Sequence, residues 1–177
     1  AFFCANKLFD LSFVPIEVPL YHDDCKAWEV FRNNKAVGLF IGDYFARPSK
    51  RSGAWCSAFQ SQAKFPTLQK PTVINVCNFA KGSPTLLSFD DAQTLFHEFG
   101  HALHQLLSNV TYEPLSGTAV SRDFVELPSQ LYEHWLTVPE VLKKFALHYE
   151  TKQPISDELI ERIIGAANFD MGYQTVE

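Results

Sequence analysis

Two histidines and a glutamate lie close together as His97-Glu98-Phe99-Gly100-His101. In an α-helix, side chains four residues apart share a face, so His97 and His101 can direct two imidazole nitrogens toward one zinc ion, at about 2.0 to 2.1 Å. Glu98 lies about 100° round the helix, over the side that a metal leaves open. The spacing therefore predicts a zinc site with Glu98 as general base. The alternative interpretation is a solvated stripe on an amphipathic helix.

A catalytic zinc usually has three protein ligands, and the third must come from another element. His104 lies seven residues from His97, which separates their Cα atoms by about 10.5 Å along a helix, too far for a metal that His101 also binds. Glu126 follows His101 by 25 residues, and a helix, a loop and an antiparallel helix would bring it back over the motif. The third histidine of the metzincin motif is absent.

Other polar residues follow Glu126 and precede it at helical spacing. Asp123, Gln130 and Glu133 could hydrogen-bond the metal ligands, as outer partners of metal sites do, or lie in solvent without such a role. Pro128 disfavours helical geometry at Leu127 and has no N–H. The helix that carries Glu126 therefore either begins near Phe124 or kinks.

Three helices are predicted in the second half of the chain. Ser88-Phe89-Asp90-Asp91 has the form of a capping box, and apolar residues follow at helical spacing to Leu107. A second helix is predicted over about 125–137, and a third begins at Ser156.

The first half reads as short strands separated by turns. Residues 28–31 and 36–41 flank the turn-forming Arg32-Asn33-Asn34-Lys35 and predict a hairpin, and Thr72–Phe79 predicts a third strand. The predicted fold class is α+β, with a small, mainly antiparallel sheet over residues 1–87 and a helical, zinc-binding part over residues 88–177. Both parts are expected to belong to one domain.

Composition limits the classes of partner. The chain has 177 residues, of which 46% are hydrophobic, and a formal charge of −5 with no basic run, which argues against a nucleic-acid partner. No apolar stretch reaches the length of about 20 residues that spans a membrane, so no membrane partner is expected. The four cysteines form no C-x-x-C pair, and reduced, buried thiols in a cytoplasmic protein are the prediction.

Longer segments around the motif closely resemble one family. The segment from Thr94 to His104, the run Leu115-Ser116-Gly117-Thr118 and the segment from Arg122 to Gln130 are similar to the thimet oligopeptidase family of zinc metallopeptidases, and most similar to its peptidyl-dipeptidase branch. Upstream, Gly42-Asp43-Tyr44-Phe45-Ala46-Arg47, Gly53-Ala54-Trp55 and Asn75-Val76-Cys77-Asn78 also agree. The resemblance covers essentially the whole chain.

The resemblance implies His97, His101 and Glu126 as ligands of one Zn²⁺ and Glu98 as the base that activates water to attack a peptide carbonyl. It also implies a zincin-like fold, short peptides as substrates, and release of C-terminal dipeptides. An extended peptide would pair with an exposed strand edge, for which Thr72–Phe79 is the candidate unless that strand is interior.

The family is much longer than this chain and mostly helical, and its oxyanion-stabilising loop, rich in glycine and tyrosine, has no counterpart here. The chain is therefore expected to be the core fragment of a larger peptidase, which by itself hydrolyses peptides weakly or not at all and self-associates through exposed apolar faces. The alternatives are an oligo-endopeptidase of the same family and a metal-free helical interaction module.

Overall fold

The computed structural model describes residues 1–167. They contain a five-stranded sheet and six α-helices, so the α+β prediction is confirmed in its general form. The described residues divide into two compact units between Glu133 and His134. The helical part predicted over 88–177 lies outside the described residues from position 168 onward. The elements are α1 (Phe2–Phe9), β1 (Leu11–Ile16), β2 (Lys26–Arg32), β3 (Lys35–Phe45), β4 (Trp55–Gln60), β5 (Thr72–Phe79), α2 (Phe89–Leu106), α3 (Arg122–Val125), α4 (Leu127–Glu133), α5 (Pro139–Phe145) and α6 (Asp157–Ala167).

The predicted hairpin is confirmed as β2 and β3. Asn33 and Asn34 have φ of 50° and 61°, and a two-residue turn with both φ positive matches the twist of the strands it joins. Asparagine tolerates this conformation better than most residues. Helix α1 and strands β1 and β4 were not predicted.

The sheet is mixed, because one of its four strand pairs is parallel. The strand order is β1-β2-β3-β5-β4, with β3 and β5 parallel and the other pairs antiparallel. The prediction of Thr72–Phe79 as an exposed edge is wrong, since β5 pairs with β3 on one side and β4 on the other. The interior alternative is confirmed, and β1 and β4 are the edges.

An aromatic cluster fixes α2 on the sheet. Phe99 of α2 lies 5.2 Å from Phe40 and 5.6 Å from Phe13, measured between ring centroids, and Phe2 stacks on Phe13 at 4.0 Å. Edge-to-face and offset aromatic pairs stabilise such contacts by about 1 kcal/mol beyond the area they bury. The helix that carries the H-E-x-x-H motif is thus anchored from its apolar face, and its opposite face is left for the polar side chains.

The predicted second helix is split where Glu126 lies. Residues 122–125 form α3, Glu126 is its C-cap, and α4 begins at Leu127. Pro128 lies in the first turn of α4, where its missing N–H removes the bond that would join the two helices. The chain continues from Glu133 into a 3₁₀ turn at His134–Thr137.

A buried ion cluster ties the C-terminal end of β3 to the loop before β4. Asp43 is 1% exposed and accepts two hydrogen bonds from Arg47 at 2.7 and 2.6 Å and one from Tyr21 at 2.6 Å. The ammonium of Lys50 lies 3.1 Å from the same carboxylate and also donates to the carbonyl of Cys77. Burial alone would raise the pKa of Asp43, but these bonds outweigh it and hold that pKa well below its usual range.

Candidate metal centre

Helix α2 begins as predicted and presents the motif on one face. Ser88 is the N-cap, its hydroxyl accepts from Asp91 N at 3.0 Å, and the Asp91 carboxylate accepts from Ser88 N at 3.1 Å, so the capping box is confirmed. The rings of His97 and His101 lie 4.9 Å apart between centroids at 83°.

Glu126 meets both histidines. Its Oε2 lies 3.1 Å from Nε2 of His97 and 3.1 Å from Nε2 of His101. Among the described residues, these three form the one group of His, Cys, Asp or Glu whose ligand atoms converge within 4.8 Å. His104 is not in this group. The structure therefore brings together the three side chains that the sequence suggested as ligands.

The donor set fits a zinc ion. Tetrahedral ligands at about 2.05 Å from a metal lie about 3.3 Å from one another, and the two measured imidazole–carboxylate separations are 3.1 Å. The same contacts are also those of hydrogen bonds between imidazole and carboxylate. Two nitrogens and one carboxylate oxygen are the ligands that a catalytic zinc uses, with a further position left for water or substrate.

The charge state of these groups agrees with metal binding. Burial lowers the pKa of His101, which favours the neutral imidazole that a metal requires. Burial by itself would raise the pKa of Glu126. The hydrogen bond from Ser129 Oγ at 2.9 Å and the two imidazoles outweigh this effect, so that the pKa is lowered and the carboxylate form is favoured. Ser129, one turn after Glu126, was not singled out in the sequence.

Glu133 orients His97 from α4. Its Oε1 lies 2.5 Å from Nδ1 of His97, and its Oε2 accepts from Gln93 Nε2 at 2.7 Å. A carboxylate on the second ring nitrogen fixes the tautomer and rotation of a metal-binding histidine. Of the three outer partners suggested by spacing, Glu133 makes such a contact, whereas Asp123 and Gln130 show no hydrogen bond to a ligand side chain among the described contacts.

Gly100 allows α4 to approach α2 closely. A Cβ at this position would lie 2.6 Å from Cα of Ser129 and 2.9 Å from the carbonyl of Pro128. Only glycine fits at that separation. The residue inside the motif therefore sets the distance between the two histidines and Glu126, a role that the spacing did not reveal.

Glu98 lines an open cleft beside His97. The cleft has a volume of about 440 Å³ and is bordered by Ala54 from the segment before β4. Glu98 is 7% exposed, and its pKa is raised, first by burial and then by the negative charge of Glu126. A carboxylate with a raised pKa is a better proton acceptor and donor near neutral pH than an ordinary one.

Asn78 holds Ala54 at the cleft. Its Nδ2 donates to the carbonyls of Arg51 and Gly53 at 2.6 and 2.7 Å. These bonds fix the chain directly before β4, so that the start of an edge strand borders the same cleft as the proposed base. No pattern in the sequence pointed directly to this arrangement.

The chain is similar to known proteins over nearly its whole length. Residues 2–177 match the family described as Peptidase family M3. The dipeptidyl carboxypeptidase of Escherichia coli (strain K12) is 46% identical over 183 residues, covering 99% of this chain and 26% of that protein. Oligopeptidase A of the same organism is 39% identical over 160 residues, which cover 86% of this chain and 24% of that protein. A thimet-like oligopeptidase of Dictyostelium discoideum is 37% identical over 183 residues, which cover 96% of this chain and 27% of that protein.

The chain thus spans about a quarter of the length of the curated relatives it matches. Among the described residues, none of the helices is both long and apolar enough to cross a bilayer.

Proposed function

The chain belongs to peptidase family M3, and on that premise we propose that it is the zinc-binding part of an enzyme that hydrolyses peptide bonds in short oligopeptides. Membership confirms the resemblance noted in the sequence. We propose that residues 1–177 are part of one metallopeptidase catalytic domain of a larger, mostly helical, zincin-like protein. The observation that carries the proposal is the convergence of His97, His101 and Glu126 on one point.

His97, His101 and Glu126 would hold one Zn²⁺. When bound, the ion supplies a Lewis acid that polarises a carbonyl and lowers the pKa of water. Glu133 holds the ring of His97 so that Nε2 faces Glu126. The buried Glu98 would take a proton from the attacking water and later give it to the leaving amine, and its raised pKa suits both transfers.

The substrate backbone would lie along the edge of β4. This strand is at the end of the sheet, and the segment that leads into it borders the cleft of Glu98. Pairing of an extended peptide with a free strand edge provides affinity through main-chain hydrogen bonds with little dependence on sequence. The interior strand β5 has no free edge for this purpose.

We propose release of C-terminal dipeptides as the specific activity, supported by the identity to dipeptidyl carboxypeptidase. The similarity to oligopeptidase A favours endopeptidase cleavage as the second candidate. Incubation of the full-length protein with a decapeptide and mass spectrometry of the products discriminates between them. Successive loss of two C-terminal residues supports the first candidate, and internal fragments of other lengths support the second.

Three further proposals concern the protein's surroundings. The four cysteines are free, three of them buried, which supports a reducing, cytoplasmic compartment. No nucleic acid or membrane partner is proposed, in keeping with the net charge of −5. The isolated fragment is proposed to self-associate, because Phe59, Phe65 and Leu68 are more than 60% exposed. It is also proposed to be weakly active at most, because it spans about a quarter of the length of the relatives it matches.

Two variants test the site. Glu98→Gln should abolish peptide hydrolysis by the full-length protein and keep stoichiometric zinc, whereas Glu126→Ala should lose zinc as well. Glu140→Gln, an exposed helical glutamate, is the matched control and should change neither property. Full zinc content in Glu126→Ala would remove Glu126 from the ligand set, and retained turnover in Glu98→Gln would remove Glu98 as the base.

A further inference from the structure

A second cavity lies beside β4, beyond the cleft of Glu98. Its volume is about 450 Å³, enough for one or two amino-acid side chains. Strand β4 contributes Cys56, Ser57 and Ala58 to its lining, α2 contributes Gln105, and the loop after α2 contributes Glu113 and Gly117. None of these residues belongs to the proposed metal centre.

Hydrogen bonds and close packing preform this cavity. Ser108 Oγ accepts from Gly117 N at 3.0 Å, and Gln105 Nε2 donates to the sulfur of Cys56 at 3.2 Å. Gly117 has φ of 55°, and a Cβ there would lie 2.8 Å from the Gln105 side chain. The loop from 113 to 119 is therefore held against α2 by contacts that only this glycine permits.

Glu113 is the one acidic residue of the lining, which includes no lysine, arginine or histidine. Its one thiol, Cys56, stays neutral, because burial raises its pKa and the nearby Glu98 adds to the effect. The other polar groups are hydroxyls and amides. A cavity with one negative charge and neutral hydrogen-bonding groups favours a cationic ligand and disfavours a carboxylate.

The strand β4 connects this cavity to the cleft. Ala54 borders the cleft, and Cys56 to Ala58 border the cavity, a distance of two to four residues or about 7 to 13 Å at 3.3 Å per residue. An extended peptide paired with β4 has the same rise. Its residue two to four positions from the scissile bond would therefore lie at the cavity.

We propose that this cavity is a substrate subsite for a positively charged group of the peptide, on the N-terminal side of the scissile bond. Glu113 would pair with an ammonium or guanidinium, supplied either by the peptide's own N-terminus or by a lysine or arginine side chain. The C-terminal end of a peptide would bring a carboxylate toward Glu113 and be repelled. The charge of Glu113 thus orients the peptide along β4. The inference rests on the proposed peptidase function.

Peptides with one cleavage site and one altered residue test the subsite in the full-length, zinc-loaded protein. One pair of peptides carries either lysine or norleucine three residues before the scissile bond. A second pair has either a free or an acetylated N-terminus. Replacement of lysine by norleucine should raise KM about fivefold with kcat unchanged, the range of a partly solvated ion pair. If acetylation raises KM instead, the ligand is the α-ammonium.

Variants of Glu113 assign the effect to the cavity. Glu113→Gln should abolish the preference for the cation, Glu113→Asp should keep part of it, and Glu113→Lys should favour a glutamate at the same peptide position. Glu17→Gln removes an exposed carboxylate outside the cavity and should leave the preference intact. Equal KM values for all peptides, or a preference that survives Glu113→Gln, would overturn the inference.

Binding measured without turnover separates this inference from the proposed function. Calorimetric titration of the same peptides into the Glu98→Gln variant should give the same preference of about fivefold, weakened by 0.5 M salt. Peptide cleavage without cation preference would refute the subsite and leave the peptidase function. Cation-selective binding without cleavage by the wild-type protein would refute the function and leave the subsite.

Discussion

Gly100→Ala tests whether the contact between α2 and α4 sets the geometry of the proposed metal centre. In an ordinary helix this change is stabilising by about 1 kcal/mol, because alanine has less backbone entropy to lose and a higher helix propensity. Here the new Cβ would lie 2.6 Å from Cα of Ser129 and 2.9 Å from the carbonyl of Pro128. Carbon atoms in contact prefer about 3.5 to 4.0 Å, so α4 must withdraw by about 1 Å.

The clash involves backbone atoms, which cannot rotate away as a flexible side chain can. Overpacking of this kind costs about 1 to 3 kcal/mol, which outweighs the gain in helix propensity. The displaced helix carries Ser129, which holds the Glu126 carboxylate. Because metal sites tolerate only about 0.2 Å in ligand distances, we expect zinc affinity to fall about 10- to 100-fold.

Two measurements check this prediction. Zinc affinity is determined by competition with a chromophoric chelator, and the unfolding temperature by circular dichroism. Gly165→Ala is the matched control, since Gly165 lies in α6 and a Cβ there would meet nothing within 4 Å. It should lower neither quantity. If Gly100→Ala binds zinc as tightly as the wild type and unfolds at the same or a higher temperature, α4 does not set the position of Glu126.

Two further outcomes follow from the described contacts. Glu133→Gln should weaken zinc binding about tenfold, because the neutral amide no longer stabilises the ring of His97. Chelator competition measures the loss of affinity, and an unchanged affinity would show that Glu133 does not orient His97. Asp43→Asn should destabilise the chain by about 3 kcal/mol in urea unfolding, because the buried ammonium of Lys50 and the half-buried guanidinium of Arg47 lose their counter-charge. Since the pKa of Asp43 is lowered on folding, its contribution is present above pH about 4 and lost as pH falls further. The variant should therefore lack this acid-dependent loss, and an identical pH profile would contradict the assignment.

The parts of the site that lie on one helix could be predicted from the sequence. Helical periodicity alone places His97 and His101 on one face, and the capping box fixes where their helix begins. The assignment of Glu126 as the third ligand required either the family resemblance or the assumption that an antiparallel helix brings this residue back over the motif. Glu133 then follows from helical spacing as one of three candidate partners, whereas Ser129 was not among them. Which partner makes contact depends on the break at Glu126 and on the close approach at Gly100.

The order of the strands could not be predicted in the same way, because it depends on pairing between distant segments. Strand β4, Trp55–Gln60, alternates weakly and contains small residues, so it lacked the pattern of a strand. Strand β4 pairs with β5, and β5 pairs with β3, but no local pattern in the sequence specifies either pairing. The cavity of Glu113 could not be predicted for the same reason, since its walls come from β4 and from a loop more than fifty residues later.

One signal for the position of β5 was nevertheless present in its composition. An edge strand with one solvent-facing side alternates between apolar and polar residues, whereas Val73, Ile74, Val76 and Cys77 form a nearly continuous apolar run, typical of a strand buried on both faces. The four residues are at most 5% exposed. Because β5 is interior, the edge beside the proposed metal centre belongs to β4, and the cleft of Glu98 and the cavity of Glu113 lie along the same strand. A peptide that pairs with this edge from Ala54 as far as Cys56 to Ala58 would therefore reach both the proposed base and the cavity that Glu113 lines.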